Sequence, residues 1–312
     1  MPVESDAAEH ASHRDTVYRP AAPVDLALSV AVLARGPGDP TMVSAHGTIW
    51  WAHRTAAGVA TLALRQVGGE IHARAWGDGA EQALAAVPAL CGGRDDPGDF
   101  DAARHPLVAE LHRRMPGLRL ARTDQVFDAL AQSVLEQKVT GLQAFRAWRQ
   151  LVQRYGQPAP GPVPRPMWAA PSPAEWARIP SWAWHRASVE PPQSRALVAA
   201  AARGDRLAAA VSAPGADADG ILQSIPGVGP WTAAETRSRA LGDPDAVSLG
   251  DYHLPHEVGF ALTGERTDDA GMLALLEPWA GQRQRVIRLI RAGGPREPRR
   301  GPRLAPEDHR SR

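Results

Sequence analysis

The fold of this chain is decided by the stretch Leu222-Gln223-Ser224-Ile225-Pro226-Gly227-Val228-Gly229-Pro230-Trp231-Thr232-Ala233-Ala234. Its two glycines flank one apolar residue, so the backbone can turn sharply with positive φ and with no Cβ in the way. Pro226 presets the entry to this turn. The residues from Trp231 onward are predicted to open a second helix, whose unpaired amides and positive dipole end point toward any anion that docks there. The stretch therefore predicts two helices joined by a tight turn that binds an anion such as a phosphate.

A carboxylate follows this turn in the run Val247-Ser248-Leu249-Gly250-Asp251-Tyr252. Asp251 lies 22 residues beyond Gly229 (251 − 229), which leaves room for the second helix and a short return toward the turn. An aspartate ahead of a helix is also a common N-cap. The sequence therefore allows Asp251 to serve as a cap, as a reactive carboxylate beside the turn, or as both.

Three separated blocks of the sequence resemble the helix-hairpin-helix base-excision DNA glycosylases, and within them the DNA-3-methyladenine glycosylase II (AlkA-type) branch. The blocks are residues 127–140, which end in Gln137-Lys138-Val139-Thr140, the hairpin at 222–234, and Gly250-Asp251-Tyr252. The resemblance covers roughly residues 119–289. It implies a mostly α fold, α+β overall, with a helical helix-hairpin-helix glycosylase core and a small N-terminal α+β domain.

The resemblance also implies a function: a monofunctional DNA glycosylase of base-excision repair that hydrolyses the N-glycosidic bond of alkylated purines of the 3-methyladenine type after base flipping. The sugar carbon becomes oxocarbenium-like when this bond breaks, so an anion beside it lowers the barrier. That is the catalytic role implied for Asp251. Relatives that also nick the strand carry a lysine at the position of Trp231, so no lyase activity is expected. Two alternatives remain open: a non-catalytic helix-hairpin-helix DNA-binding protein, and a glycosylase of this fold for oxidised or mismatched bases.

The remaining site residues follow from the same resemblance. The base pocket is expected to contain Trp231, Glu235, Tyr252 and Arg288. The wedge that fills the gap left by the flipped base is expected at Gln137 or Lys138, and the sequence leaves open which of the two it is. The DNA phosphate is expected on the amides of Gly227, Gly229, Trp231 and Thr232. A monovalent cation (Na⁺ or K⁺) is expected on the carbonyls of Gln223, Ile225 and Val228. The branch usually has an apolar residue in place of Lys138 and an aromatic residue in place of Arg288, so the preferred damaged base stays open.

Composition narrows the partners and cofactors. The chain has 312 residues, a formal net charge of +1 and a pI of about 8.1, so any positive surface for DNA must be local. Cys91 is the only cysteine, which rules out an iron–sulfur cluster held by several thiolates. Residues 1–13 are charged and no apolar run is long enough to span a membrane. We expect a cytoplasmic, nucleoid-associated monomer that binds double-stranded DNA containing damaged bases, with no cofactor besides the hairpin cation.

Patterning along the chain predicts four segments: a disordered tail at 1–22, an N-terminal α+β domain at 23–92, the helical domain at 100–292 and a disordered basic tail at 293–312. Residues 59–64 and 71–76 alternate as strands do, and residues 81–90 are predicted to form one helix. Further helices are predicted at 173–177, 193–202, 217–224, 230–239 and 273–291. Trp176, Trp182 and Trp184 are expected to pack in the core, with base stacking as the alternative.

Overall fold

The N-terminal part of the protein is a five-stranded antiparallel sheet in a computed structural model that describes residues 12–213 and 215–298. The strands are β1 (His13–Tyr18), β2 (Met42–Ala45), β3 (Thr48–Thr55), β4 (Gly58–Val67) and β5 (Glu70–Trp76), in the spatial order β1-β5-β4-β3-β2. Gly68 and Gly69 form the two-residue turn from β4 to β5, both with positive φ, as the tightest hairpins require. The two strands predicted from alternation are confirmed within β4 and β5.

Strand β1 corrects the prediction of a disordered tail over residues 1–22. It pairs with β5 along its whole length, from His13 opposite Trp76 to Tyr18 opposite Ile71. Nearly all of its side chains are exposed, because an edge strand with solvent on both faces has no apolar alternation to reveal it. The N-terminal domain therefore begins before residue 23, and the prediction for residues 1–11 lies outside the described residues.

Three short helices complete this domain: α1 (Leu26–Val30), α2 (Ala80–Ala85) and α3 (Val87–Leu90). Their apolar side chains share one core with the sheet, in which Leu62 and Leu64 are 1% exposed. The single helix predicted at 81–90 is wrong, because Pro88 stands in the first turn of α3 and has no amide hydrogen to continue α2.

The rest of the described chain is helical apart from a two-residue strand pair, β6 (Gln157–Pro158) with β7 (Trp168–Ala169). The helices are α4 (Pro106–Arg114), α5 (Val126–Leu135), α6 (Gly141–Tyr155), α7 (Pro173–Ala177), α8 (Ser181–Arg186), α9 (Pro191–Ala201), α10 (Gly204–Ala209), α11 (Gly215–Gln223), α12 (Pro230–Ala240), α13 (Leu254–Thr263), α14 (Asp269–Leu276) and α15 (Arg283–Gly293). Residues 273–291 are therefore not one helix. Pro278 falls in a 3₁₀ turn at Glu277–Trp279 that separates α14 from α15.

Two apolar cores hold these helices. One is built around α5, α6, α9 and α12, and the other joins α4 to α13, α14 and α15. In the first core Trp176 stacks between Trp148 and Trp184, with ring centroids 6.1 and 5.6 Å apart. The prediction that three neighbouring tryptophans pack in the core is thus confirmed for Trp176 and Trp184. It is wrong for Trp182, whose side chain is 50% exposed.

The sheet domain is joined to the helical domain through buried polar groups. The Asp39 carboxylate accepts hydrogen bonds from the backbone amides of Arg35 (2.7 Å) and Thr41 (2.8 Å) and from the indole of Trp148 on α6 (3.2 Å). The Arg35 guanidinium in turn donates to Gln132 on α5 at 2.9 Å. Within the described residues no helix is both long and apolar enough to cross a membrane.

Candidate active site

The turn between α11 and α12 has the predicted hairpin shape, with one correction. Gly227 has φ +87°, which favours glycine, and a Cβ there would lie 2.9 Å from the Cβ of Ala196. Gly229 instead has φ −101° and ψ −177°, an extended conformation that any residue adopts, with nothing within 4 Å of the position of its absent Cβ. The expectation that both glycines need positive φ is therefore wrong for Gly229. Ile225 and Val228 anchor the turn by burying their side chains in the first core.

The turn exposes a cluster of backbone amides at the start of α12. Within the described residues the amides of Gly227, Gly229, Trp231 and Thr232 have no acceptor, whereas Val228 donates to the Ile225 carbonyl at 3.0 Å. Amides at a helix N-terminus and the positive end of the helix dipole together favour an anion. The Thr232 side chain is excluded from this role, because it is 2% exposed and its hydroxyl already accepts a hydrogen bond from Gln137. The residues of this cluster that reach the surface are Gly227, Gly229 and Trp231.

Replacing Gly229 by alanine tests whether an anion binds at this turn. A Cβ at position 229 meets no protein atom, so Gly229→Ala is expected to cost at most about 1 kcal/mol of stability, through the weaker N-cap. We expect the same methyl to obstruct a phosphate that approaches the amide of residue 229, so DNA affinity should fall at least about 10-fold, equivalent to about 1.4 kcal/mol. Fluorescence anisotropy with a labelled duplex, alongside urea unfolding, measures both quantities.

Two other glycine substitutions are the controls. Gly220→Ala on α11 also adds a methyl in open space and should leave binding unchanged. Gly227→Ala should impair folding as well as binding, because its backbone is left-handed and its Cβ is crowded by Ala196. Unaltered DNA affinity in both Gly229→Ala and Gly227→Ala would rule out this turn as the phosphate clamp.

Asp251 is held beside the first turn of α12 by three hydrogen bonds. Its Oδ1 accepts from the amides of His253 and Leu254, each at 2.8 Å, and its Oδ2 accepts from the indole N–H of Trp231 at 2.9 Å. Asp251 therefore binds amides at the start of α13 as a cap does, although the helix begins at Leu254 with His253 as its N-cap residue, and not directly after Asp251 as the sequence interpretation has it. The cap uses only Oδ1. One lone pair of Oδ2 remains beyond the Trp231 hydrogen bond, so the cap does not exclude a second role.

These contacts keep Asp251 ionised. Its partial burial alone would raise the pKa, but hydrogen bonds from Trp231 and from the amides of Leu254 and His253, together with the positive charge of Arg291, lower it below the ordinary aspartate value. The result is a negative charge fixed next to the exposed amides of the turn. An arrangement of this kind can hold a phosphate on one side and stabilise a developing positive charge on the other.

The loop after α5 carries the two wedge candidates, which differ in their contacts and exposure. The Gln137 side-chain amide donates to the Gly227 carbonyl (3.0 Å) and to the Thr232 hydroxyl (2.8 Å), so it ties this loop to the hairpin. Lys138 is exposed and has φ +54°, a left-handed conformation uncommon for a residue with a Cβ. Lys138 is also the only lysine in a chain with 34 arginines, which sets it apart in the sequence itself.

A buried ionic network that was not foreseen lies behind the site. Arg239 on α12 binds Glu136 at 2.9 Å and Glu235 at 2.6 Å, and Arg35 of the sheet domain reaches Glu136 at 3.5 Å. The Ser248 hydroxyl, three residues before Asp251, donates to Glu235. Burial alone would raise the pKa of Glu136, but the guanidinium groups of Arg239 and Arg35 lower it.

This network corrects the placement of Glu235 in the base pocket. Both Glu235 oxygens are bound by protein groups and the residue is 7% exposed, so it supports the site from behind. The network links the residue before the wedge loop, the helix that carries the amide cluster and the segment that carries Asp251. Its one local signal in the sequence is the four-residue spacing of Glu235 and Arg239 on a predicted helix.

Arg288 is also corrected. Its guanidinium donates to the carbonyls of Leu28 (2.9 Å) and Ser29 (3.4 Å) near the end of α1, where the helix dipole favours a cation. Burial lowers the pKa of Arg288 to about 10, so it stays charged at neutral pH. It joins α15 to the N-terminal domain rather than lining a base pocket. Tyr252, by contrast, is 80% exposed next to Asp251, with its ring edge-on to His253 at 4.9 Å.

The cofactor expectations stay predictions. The carbonyls of Gln223, Ile225 and Val228 lie around the turn, and that of Ile225 already accepts the amide of Val228. Burial raises the pKa of Cys91 to about 12, so its thiol stays protonated. Among the described residues no group of three or more His, Cys, Asp or Glu side chains is placed to hold a metal ion.

Comparison with known proteins gives a short sequence match. No family model matches the chain. Over 144 residues it is 33% identical to the "Probable bifunctional transcriptional activator/DNA repair enzyme AlkA" of two Mycobacterium tuberculosis strains, a match that covers 45% of this chain. The chain spans 28% of the length of these curated relatives.

Solved structures match over nearly the whole chain. A 3-methyladenine DNA glycosylase from Archaeoglobus fulgidus superposes with a TM-score of 0.74 at 15% identity, covering 88% of this chain and 97% of that one. An 8-oxoguanine glycosylase/lyase from Clostridium acetobutylicum, in complex with double-stranded DNA, gives 0.69 at 12% identity, with coverages of 89% and 96%. The predicted fold class, mostly helical with a small N-terminal α+β domain, is confirmed, and so is the resemblance to the AlkA-type glycosylases.

Proposed function

We propose that this chain, which has the helix-hairpin-helix glycosylase fold and a stretch of AlkA-like sequence, is a monofunctional DNA glycosylase that removes alkylated purines. One observation carries the proposal: an ionised carboxylate, Asp251, is fixed beside a cluster of free amides at the start of α12. The amides fit a DNA phosphate and the carboxylate fits the cationic sugar left by a departing base. The two groups are what base excision requires at one place.

The relatives favour an alkylated purine over the alternatives. The matched curated relative carries the name of a DNA repair enzyme, and the superposed Archaeoglobus protein that of a 3-methyladenine glycosylase. A non-catalytic DNA-binding protein would need Asp251 only for its contacts with the amides of His253 and Leu254, which use Oδ1 alone. The 8-oxoguanine glycosylase/lyase, at 12% identity, shares the fold. We propose double-stranded DNA with alkylated bases as the partner, bound by a monomer in the cytoplasm.

The proposed reaction begins when the amides of the turn grip a phosphate of the damaged strand. Lys138, at the exposed tip of its loop, enters the gap left by the flipped base while Gln137 braces that loop against the hairpin. Trp231 and Tyr252 contact the extruded base. As the N-glycosidic bond breaks, the bonding electrons leave with the base. The negative charge of Asp251 stabilises the oxocarbenium-like sugar, and water adds to its anomeric carbon and releases one proton to the solvent.

Hydrolysis without strand cleavage is expected, because Trp231 offers no amine to attack the sugar. A duplex with one alkylated purine should lose that base and keep an uncut abasic site until hot alkali is added. Borohydride should trap no covalent complex, since a trapped complex needs an imine between an amine and the sugar.

Lys138 makes the trapping experiment discriminating. It is the only lysine side chain, so a borohydride-trapped complex that disappears in Lys138→Arg would identify Lys138 as a nucleophile and overturn the monofunctional mechanism. A glycosylase would still be present in that case. Failure of the wild-type protein to release any base would overturn the proposed function itself.

A further inference from the structure

A surface formed by α6 and α8 carries an exposed tryptophan between two arginines. The Arg154 guanidinium carbon lies 4.9 Å from the ring centroid of Trp182, and that of Arg186 lies 5.6 Å from it. Trp182 is 50% exposed, unlike the buried Trp176 and Trp184 of the same segment. Core packing does not explain a large aromatic ring that is left in solvent beside one cation of its own helix, Arg186, and one of α6, Arg154.

A groove beside this ring is lined by four residues whose side chains end in amide or guanidinium groups: Gln150, Gln153, Arg154 and Arg186. No acidic side chain takes part in the lining. Residues 137–189 contain seven lysines and arginines and one acid, Glu175, a net charge of +6 in a chain whose net charge is +1. Glu175 is itself paired with Arg54 of β3 at 3.1 Å. This segment is therefore strongly basic, although the chain as a whole is close to neutral.

We propose that Arg154, Trp182 and Arg186 form a second DNA contact, which binds the phosphodiester backbone of the same duplex away from the lesion. This inference rests on the proposed function. Stacking on the indole holds both guanidinium groups in place and lowers the entropy lost when they bind phosphate. Arginine forks match phosphate oxygens bidentately, and the two glutamines add neutral donors. The chemistry of the groove thus favours an anionic partner over a cationic one, and the proposed function supplies the DNA backbone as that anion.

Helix α6 connects this surface to the proposed lesion site. It begins directly after the wedge loop, with Thr140 as its N-cap, and reaches Arg154 fourteen residues later. At 1.5 Å per residue this is about 21 Å, or roughly 6 base pairs of B-DNA at 3.4 Å each. Residues 137–155 contain no acid, so the path from Lys138 along α6 is free of groups that repel DNA.

The test uses a double variant and two lengths of DNA. Arg154→Gln/Arg186→Gln is compared with wild type on duplexes that carry a tetrahydrofuran abasic-site analogue, one extending about 10 base pairs to each side and one hairpin duplex extending only about 3. On the long duplex, affinity at low salt should fall at least about 10-fold, and the slope of log K against log salt should shrink by about 1.8, or 0.9 for each phosphate contact. On the short duplex the affinity and the salt slope of the double variant should both match those of the wild type. Trp182→Ala should reproduce part of the loss.

Two controls separate this surface from net charge and from catalysis. Arg14→Gln/Arg65→Gln removes the same charge from two exposed positions of the N-terminal sheet, on β1 and β4, and should leave binding to both duplexes unaffected. Single-turnover base release at saturating DNA should be unchanged in the α6/α8 variant. Unaltered affinity on the long duplex, or an equal loss on the short one, would overturn the second contact. If the wild type binds DNA but releases no base, the proposed function fails while the binding comparison still decides this inference.

Discussion

Replacing Asp251 by asparagine is expected to reduce single-turnover base release by about 100-fold or more, because the amide carries no charge to stabilise the oxocarbenium-like sugar. The amide oxygen can keep the cap on the amides of His253 and Leu254. Its NH₂ group then faces the indole N–H of Trp231. Two donors oppose each other there, and the hydrogen bond that Trp231 makes to Asp251 is lost. We expect a moderate loss of stability, about 1 to 3 kcal/mol, from this mismatch.

A second variant separates stability from charge. In Asp251→Asn/Trp231→Phe the opposing donor is gone, so much of the stability lost in Asp251→Asn should return while base release stays low. The pH dependence of the wild type gives an independent check. The pKa of Asp251 is lowered below the ordinary aspartate value of about 3.9. The rate of base release should therefore be constant above that lowered pKa, and it should fall only when the pH drops through it. An acid limb centred near pH 7 would instead implicate a group such as Asp128, whose pKa burial raises to about 7.

Replacing Arg239 by methionine is expected to lower the free energy of unfolding by about 3 to 5 kcal/mol, because Glu136 and Glu235 are left charged and buried without their shared partner. The Arg239 side chain is 8% exposed and those of Glu136 and Glu235 are 14% and 9% exposed. Ser133 also loses the hydrogen bond that it receives from Arg239 at 2.9 Å. Urea unfolding followed by circular dichroism measures the change.

An exposed ion pair provides the matched control. Arg113 and Glu110 on α4 are 2.7 Å apart, but their side chains are 74% and 46% exposed, so Arg113→Met should cost less than about 1 kcal/mol. A loss in Arg239→Met no larger than that in Arg113→Met would contradict the structural role of the network. Because the network reaches Ser248, just before Asp251, we also expect Arg239→Met to slow base release.

The parts of the site that sequence reasoning placed correctly are those set by local chain geometry. The turn at 226–229 and the cap at Asp251 depend on neighbouring residues, and the number of residues between them fixes how the chain returns. Partners that are far apart in the sequence produce no local pattern from which their contact could be predicted. Glu136 and Arg239 are 103 residues apart, and Arg288 meets Leu28 across 260 residues. The edge strand β1 was missed for a related reason, since backbone pairing with β5 defines it.

Backbone conformation accounts for a finer difference. The sequence Gly227-Val228-Gly229 favours positive φ at both glycines equally, yet only Gly227 adopts it. Pro230 follows Gly229 and restricts it to extended conformations. The open space at Gly229 means that no described protein atom requires a glycine there, and under the proposed function the approaching phosphate backbone is what requires it.

The most direct test of the account is to incubate methylated genomic DNA with the wild-type protein and with Asp251→Asn, and to identify the released bases by mass. We expect the wild type to release alkylated purines such as 3-methyladenine, and the variant, shown to be folded and to bind DNA, to release almost none. Release of oxidised or mismatched bases instead would contradict the proposed substrate class. Absence of any released base in the wild type, or equal release by Asp251→Asn, would contradict the central claim that Asp251 drives base excision in this chain.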